Sequence, residues 1–129
     1  MFRSIKVKRY TNSNGSLIPV YLNKLSNFKI KRFFVVYGKK NAVRGKHAHK
    51  KCTQIFIPLR GKTELKLIRK NSKKLILNPK SLKIYKVPPL TWCEIKFLDK
   101  NCIIIVLCDL KFSEKEYIRK FKNFLKFIG

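Results

Sequence analysis

Acidic side chains are the scarcest resource in this chain: 129 residues carry 6 Asp and Glu against 32 Lys and Arg, a formal net charge of +26. Histidine is rarer still, with only His47 and His49. The four cysteines, Cys52, Cys93, Cys102 and Cys108, form no CxxC pair and no framework spacing, which argues against a disulfide scaffold or a zinc ribbon. The N-terminal "MFRSIKVKRY" has no signal-type apolar run, so a cytoplasmic chain with free thiols is expected. Its longest apolar run, "CIIIVLC" from Cys102 to Cys108, is far short of the roughly 20 residues of a spanning helix. It suits a strand buried on both faces, and no membrane partner is expected.

The surplus of positive charge invites a nucleic-acid or anionic-membrane reading. Its distribution argues against one. Basic residues fall singly or in pairs along the whole length (Lys39-Lys40, Lys50-Lys51, Lys73-Lys74), with no block, tail or single helical stripe. Salt-sensitive adhesion to polyanions is expected, and specific nucleic-acid recognition is not.

Up to about Leu110 the chain lacks helical periodicity and reads as short alternating or apolar segments cut by turn residues. The segments are "IKVKRY" and "LIPVYL" around a "TNSNGS" turn, "FKIKRFFVVY", the histidine segment, "CTQIFIPL", "KTELKLI", "KLIL", "LKIYKV", "TWCEIKFL" and "CIIIVLC". Roughly nine or ten strands in one domain of residues 1–129 predict an all-β sandwich or barrel, with a jelly roll the leading option. The end differs. In "SEKEYIRKFKNFLKFIG" Ser113 and Glu116 stand at capping-box spacing, and Tyr117, Ile118, Phe121, Phe124, Leu125 and Ile128 recur at helical spacing. One amphipathic C-terminal helix packed on the β-domain is expected.

The histidine pair carries the chemistry. In the extended stretch "RGKHAHKKCTQIFIPLRG", residues two apart share a face, so His47 and His49 project together. Metal ligation, acid-base catalysis and structural placement all produce such pairs. Here the pattern continues to Gly61 at the distance of the first cupin motif, with Gln54 at the glutamate position. The second motif, "VPPLTWCEI", places Cys93 near the position of the third histidine. A neutral glutamine replaces a carboxylate poorly, and catalytic metals want three firm protein ligands. No metal or other cofactor is expected, although His47, His49, Cys93 and Glu94 leave a soft zinc-like set open. Imidazoles free of metal can transfer protons near neutral pH. Tyr37 adds a hydroxyl, and Arg44 a guanidinium suited to phosphate oxygens.

Taken in order, "FKIKRFFVVYG", "RGKHAHKKCTQIFIPLRG", "LKIYKVPPLTWCEI", "VLCD" and "EYIRKFKNFL" resemble the sugar-nucleotide 3,4-ketoisomerase family of the cupin superfamily, from about Gly15 to Leu125. The resemblance implies a cupin jelly-roll barrel and a homodimer with exchanged N-terminal strands. It further implies metal-free transfer of a carbonyl from C4 to C3 of dTDP-4-keto-6-deoxyglucose, through an enediol(ate). The 3-keto product would feed 3-amino-3,6-dideoxysugar synthesis for surface polysaccharide. On this resemblance His49 is the carbon base, and His47 and Tyr37 handle oxygen-bound protons. Arg44 and Arg32 are candidates for the substrate phosphates, Arg119 for substrate binding, and Gln54 and Trp92 for the cavity wall. The alternatives are a 3,5-epimerase-like cupin and a non-enzymatic basic nucleic-acid-binding barrel. The epimerase is disfavoured because a histidine-aspartate couple has only Asp99 and Asp109 to draw on.

Overall fold

The computed structural model describes residues 2–21, 27–81 and 83–129. Along them run β1 (Arg3–Lys6), β2 (Tyr10–Asn12), β3 (Gly15–Leu17), β4 (Arg32–Gly38), β5 (Val43–His49), β6 (Gln54–Arg60) and β7 (Thr63–Ile68). They are followed by β8 (Ser72–Leu77), β9 (Lys83–Val87), β10 (Trp92–Phe97), β11 (Cys102–Cys108), a 3-10 turn (Glu114–Glu116), β12 (Tyr117–Ile118) and α1 (Phe121–Ile128). Ser13 and Asn14 turn β2 into β3, the Asn14 amide donating to Asn12 Oδ1 at 2.8 Å, which is the hairpin expected of "TNSNGS". Of the expected "LIPVYL" strand only Leu17 is in β3; residues 18–21 are not in a strand, and residue 22 lies outside the described residues. Residue 82, the start of "LKIYKV", also lies outside them.

Two five-stranded antiparallel sheets stack face to face, in the orders β1-β9-β6-β11-β4 and β12-β5-β10-β7-β8. Strand alternation explains why they meet. Phe56, Val87, Ile104 and Val106 of the first sheet and Leu65, Leu67, Leu77, Ile95 and Phe97 of the second point inward and form one buried cluster. Burying each such side chain contributes about 1.5–3 kcal/mol. The "CIIIVLC" run lies between β6 and β4 as β11. Its outward Leu107 joins Ile55, Ile84 and Phe28 in a second cluster on the outer face.

The sheets do not close into the expected jelly-roll barrel. Closure needs an unbroken hydrogen-bonded ladder around the ring. Here β1 and β4 end one sheet, β12 and β8 the other, and β2 and β3 form a separate ribbon. β12 pairs with the histidine end of β5, Tyr117 opposite His49 and Ile118 opposite Ala48. The C-terminal segment therefore takes the ladder position that a neighbouring strand would need for closure, and β4 remains an edge.

The C-terminal helix is shorter than its spacing suggested. Ser113 makes no side-chain cap, and residues 114–118 form the 3-10 turn and β12 before α1 begins at Phe121. Glu116 is turned away from a capping role by partners far off in sequence, described below. Within α1 the apolar spacing holds: Phe124 is fully buried and packs with Trp92, Ala48 and Ile118. No helix among the described residues is long and apolar enough to cross a membrane.

Candidate active site

β5 is bent where the site begins. Gly45 has φ +83°, and a Cβ there would stand 2.9 Å from the Cys93 carbonyl oxygen, so only glycine fits both the conformation and the contact. Lys46 follows at φ 55°, and the register against β10 shifts between Cys93 and Glu94. This bulge re-aims the strand. Beyond it, alternation sets His47 and His49 side by side, their ring centroids 5.1 Å apart and their planes at 88°.

His49 is 5 % exposed, and its Nδ1 lies 2.6 Å from Glu116 Oε2. An ionised carboxylate only accepts, so Nδ1 carries the proton and Nε2 its lone pair. Nε2 is buried and meets no hydrogen-bond partner among the described residues. The other Glu116 oxygen accepts from the backbone N–H of Cys52 at 2.6 Å and of Lys51 at 2.8 Å. A carboxylate held by two backbone donors cannot swing, so it fixes the imidazole's tautomer and orientation. Burial pushes the His49 pKa down, opposed by the hydrogen bond and charge of Glu116 and reinforced by Arg32 and Arg119.

His47 donates from Nδ1 to the Gly45 carbonyl at 3.0 Å, which again leaves Nε2 with the lone pair. Burial first, then the neighbouring His49, lower its pKa to about 4. Tyr117 lies against both imidazoles, 4.4 Å from His49 and 5.0 Å from His47 between centroids. Its hydroxyl accepts from Arg32 Nη2 at 3.2 Å, which leaves its own proton to donate. The Arg119 guanidinium lies 4.4 Å over the Tyr117 ring and pairs with Glu114.

A cavity of about 560 Å³ opens over this group. Its walls include Arg32, Arg44, His47, Gln54, Tyr117 and Arg119; His49 is not itself a wall residue but is in ring contact with His47 and Tyr117, which are. The structure thus gathers most of the residues singled out in the sequence. Tyr37 borders the cavity from the edge strand, but alternation sets it with Phe33 and Val35, and it is 75 % exposed. Trp92 is not brought to the cavity. It packs against Phe121 and Phe124 beneath α1 and donates Nε1–H to Glu94 at 3.0 Å. One residue later, Cys93 does line the cavity, so a one-residue step along β10 separates wall from core.

Sequence reasoning missed Glu116 and Tyr117. Both stood in the "EYIRKFKNFL" likeness, and with so few acids any carboxylate near it was a signal. The donors present do not suit a metal. Among the described residues no group of three His, Cys, Asp or Glu is arranged to hold one. Burial pushes the Cys93 thiol up to about 12, keeping it protonated, and Glu94 is engaged by Trp92.

The family described as "FdtA: WxcM-like, C-terminal" matches residues 2–129. The chain belongs to this family, the FdtA/QdtA-like sugar-nucleotide 3,4-ketoisomerases of the cupin class. It is 33% identical over 127 residues, 97% of this chain and 91% of the other, to the TDP-4-oxo-6-deoxy-alpha-D-glucose-3,4-oxoisomerase of Aneurinibacillus thermoaerophilus. A 3,4-ketoisomerase from Helicobacter canadensis superposes with a TM-score of 0.90 at 29% identity, covering 98% of this chain and 96% of that one. QdtA, a sugar 3,4-ketoisomerase from Thermoanaerobacterium thermosaccharolyticum solved with TDP, superposes at 0.88 with 29% identity over 98% and 93% of the two chains. A histidine-to-asparagine variant of QdtA has been solved with TDP-4-keto-6-deoxyglucose. A 3'-monoepimerase from Streptomyces bikiniensis reaches 0.82 at 10% identity over 90% of this chain and 67% of its own, a likeness of fold alone.

Proposed function

We propose that this chain is an isomerase that moves the carbonyl of dTDP-4-keto-6-deoxyglucose from C4 to C3, giving a dTDP-3-keto-6-deoxyhexose. The observation that carries the reading is the buried His49–Glu116 couple, its Nε2 unpartnered among the described residues, in ring contact with His47 and Tyr117, which line a cavity edged by arginines. The family's relatives act on this class of substrate. The C4 carbonyl acidifies the C3 proton. His49 Nε2 removes that proton, and Glu116 stabilises the imidazolium that forms. The enediol(ate) needs its oxygen-bound protons moved from one carbon's oxygen to the other. His47, neutral at physiological pH, accepts through Nε2, and Tyr117 donates its hydroxyl proton, the role expected of Tyr37. Reprotonation at C4 by the His49 imidazolium completes the exchange.

On this reading Arg44 and Arg119, both exposed at the cavity, meet the diphosphate, Arg119 exchanging its pairing with Glu114 for it. Arg32 is turned inward to Cys108 and Tyr117, which leaves it less free for phosphate than the sequence suggested. The functional oligomer is a homodimer on this reading. It is supported by the outer face of β4, where Phe33 is 63% exposed and Val35 and Tyr37 stand beside it. β1 pairs with β9 of its own chain here, the pairing that strand exchange would hand to the partner's β9.

Incubation with dTDP-4-keto-6-deoxyglucose, followed by proton NMR, tests the reaction. The expected product is a 3-keto sugar with C5 unchanged. An inverted C5 would favour the epimerase instead, whose histidine-carboxylate couple could be supplied here by a glutamate.

A further inference from the structure

Beneath the cavity the structure places a second polar group that the isomerisation above does not use. Cys108, the last residue of β11, points inward and is completely buried. Its sulfur is surrounded by donors. Arg32 Nη2 lies 3.6 Å from Sγ and Gln54 Nε2 lies 3.4 Å from it, while the Cys52 thiol donates to the Thr53 carbonyl at 3.4 Å. A neutral thiol is a weak acceptor with a proton of its own to place. An anionic sulfur suits two converging N–H donors, and it is the form a guanidinium favours.

Arg32 points the same way. Its guanidinium lies between the rings of Phe34, at 5.3 Å, and Phe112, at 5.4 Å, and its hydrogen bonds go to Cys108 Sγ and Tyr117 Oη. The carboxylates nearby are occupied elsewhere: Asp109 accepts from the Thr53 amide, and Glu116 from His49, Lys51 and Cys52. A partly buried cation without a carboxylate is costly unless another anion balances it.

We propose that Cys108 stands as a thiolate, the counter-ion of Arg32 beneath the active site, and that the pair positions Tyr117 against the two imidazoles. Cys108 touches no substrate on this assignment; it is a positioning residue acting through Arg32. Interaction with the Cys52 thiol, then with Gln54 and Arg32, pushes the Cys108 thiol down from its ordinary range, against burial, which raises it. The thiolate also has an electrostatic role. The groups facing His49 are Glu116, His47, Tyr117, Arg32 and Arg119, and Arg32 disfavours the imidazolium that His49 must form. A negative sulfur against Arg32 offsets that penalty. Around the sulfur itself the titratable neighbours are Arg32, Cys52 and Tyr117, with Asp109 beyond Cys52.

The test uses the full chain, kept reduced. Thiolates absorb in the ultraviolet where thiols do not, so wild type minus Cys108→Ser gives the Cys108 thiolate band. The expected band is present at neutral pH and titrates away only below it, well under the ordinary thiol range, and Cys52→Ser retains it. A difference band that appears only at or above the ordinary thiol pKa of about 8.5 would overturn the proposal. Should Cys108→Ser fail to fold, Arg32→Gln carries the test, with the wild-type band expected to move to higher pH; an unmoved band overturns the pairing.

The activity arm rests on the proposed isomerase reading, whereas the absorbance arm does not, so the two can fail separately. In Cys108→Ser the uncompensated Arg32 lowers the His49 pKa, and the acid limb of kcat/KM moves to lower pH. In Arg32→Gln that limb moves to higher pH. A merely structural role predicts lower activity in both variants with the limb unmoved, and that result would remove Cys108 from the positioning of the site.

Discussion

Two groups decide what His49 can do: the carboxylate that orients it and the arginines that oppose its charge. Glu116 raises the His49 pKa while burial lowers it, and the net displacement is downward from 6.5. The base form is therefore populated below the ordinary imidazole range, and the acid limb of the rate should lie below pH 6.5. Glu116→Gln removes the raising influence. The account predicts that this limb moves to still lower pH while kcat falls by about tenfold or more, because the imidazole loses both its anchor and its charge partner. A pH–rate profile of the folded variant checks it, and a limb at the wild-type position would detach Glu116 from His49. The pair His47 and His49 was legible in the sequence because alternation alone brings residues two apart together. Glu116 was not. Its spacing from Ser113 has a strong local reading as a helix cap, whereas its partner His49 is 67 positions away. Trp92 and Cys93 show the converse limit, since one step of strand parity, set by the unbroken pairing of β10 with β7 that turns Cys93, Ile95 and Phe97 inward, decides which of them faces the cavity.

At the scale of elements, the strands of the core were legible in the sequence, since alternation in "KTELKLI" and the doubly buried "CIIIVLC" are local patterns. Closure of the sheets was not, because it depends on which edges meet. The two residues of β12 settle it, and they were read as part of a helix on the strength of apolar spacing that they share with α1. The edge strand β4 has its own consequence. Its outer face presents Phe33, Val35 and Tyr37, backed by Ile103 and Ile105 of β11. An apolar edge of this kind is a liability unless covered. The proposed dimer covers it. Light scattering of Phe33→Lys with Val35→Lys should give a folded monomer where the unaltered chain gives a dimer, and an unchanged dimer would place the contact elsewhere.

The whole molecule carries +26 charges, dispersed in the sequence without a block or stripe. Its field should draw polyanions without selecting among them. Titrations with duplexes of unrelated sequence should give equal affinities that fall steeply with salt; a sequence-selective complex surviving physiological salt would demand a recognition surface that this account does not contain. The same field helps gather a doubly charged sugar nucleotide to a cavity edged by Arg44 and Arg119. On the proposed mechanism, turnover of that substrate rests on one lone pair, His49 Nε2. The most direct measurement is turnover of dTDP-4-keto-6-deoxyglucose by His49→Asn, with dTDP-sugar affinity measured alongside on the same folded protein. The account predicts binding within a few-fold of the unaltered chain and turnover lower by roughly two or more powers of ten. Near-normal turnover in that variant would contradict the assignment of His49 as the carbon base.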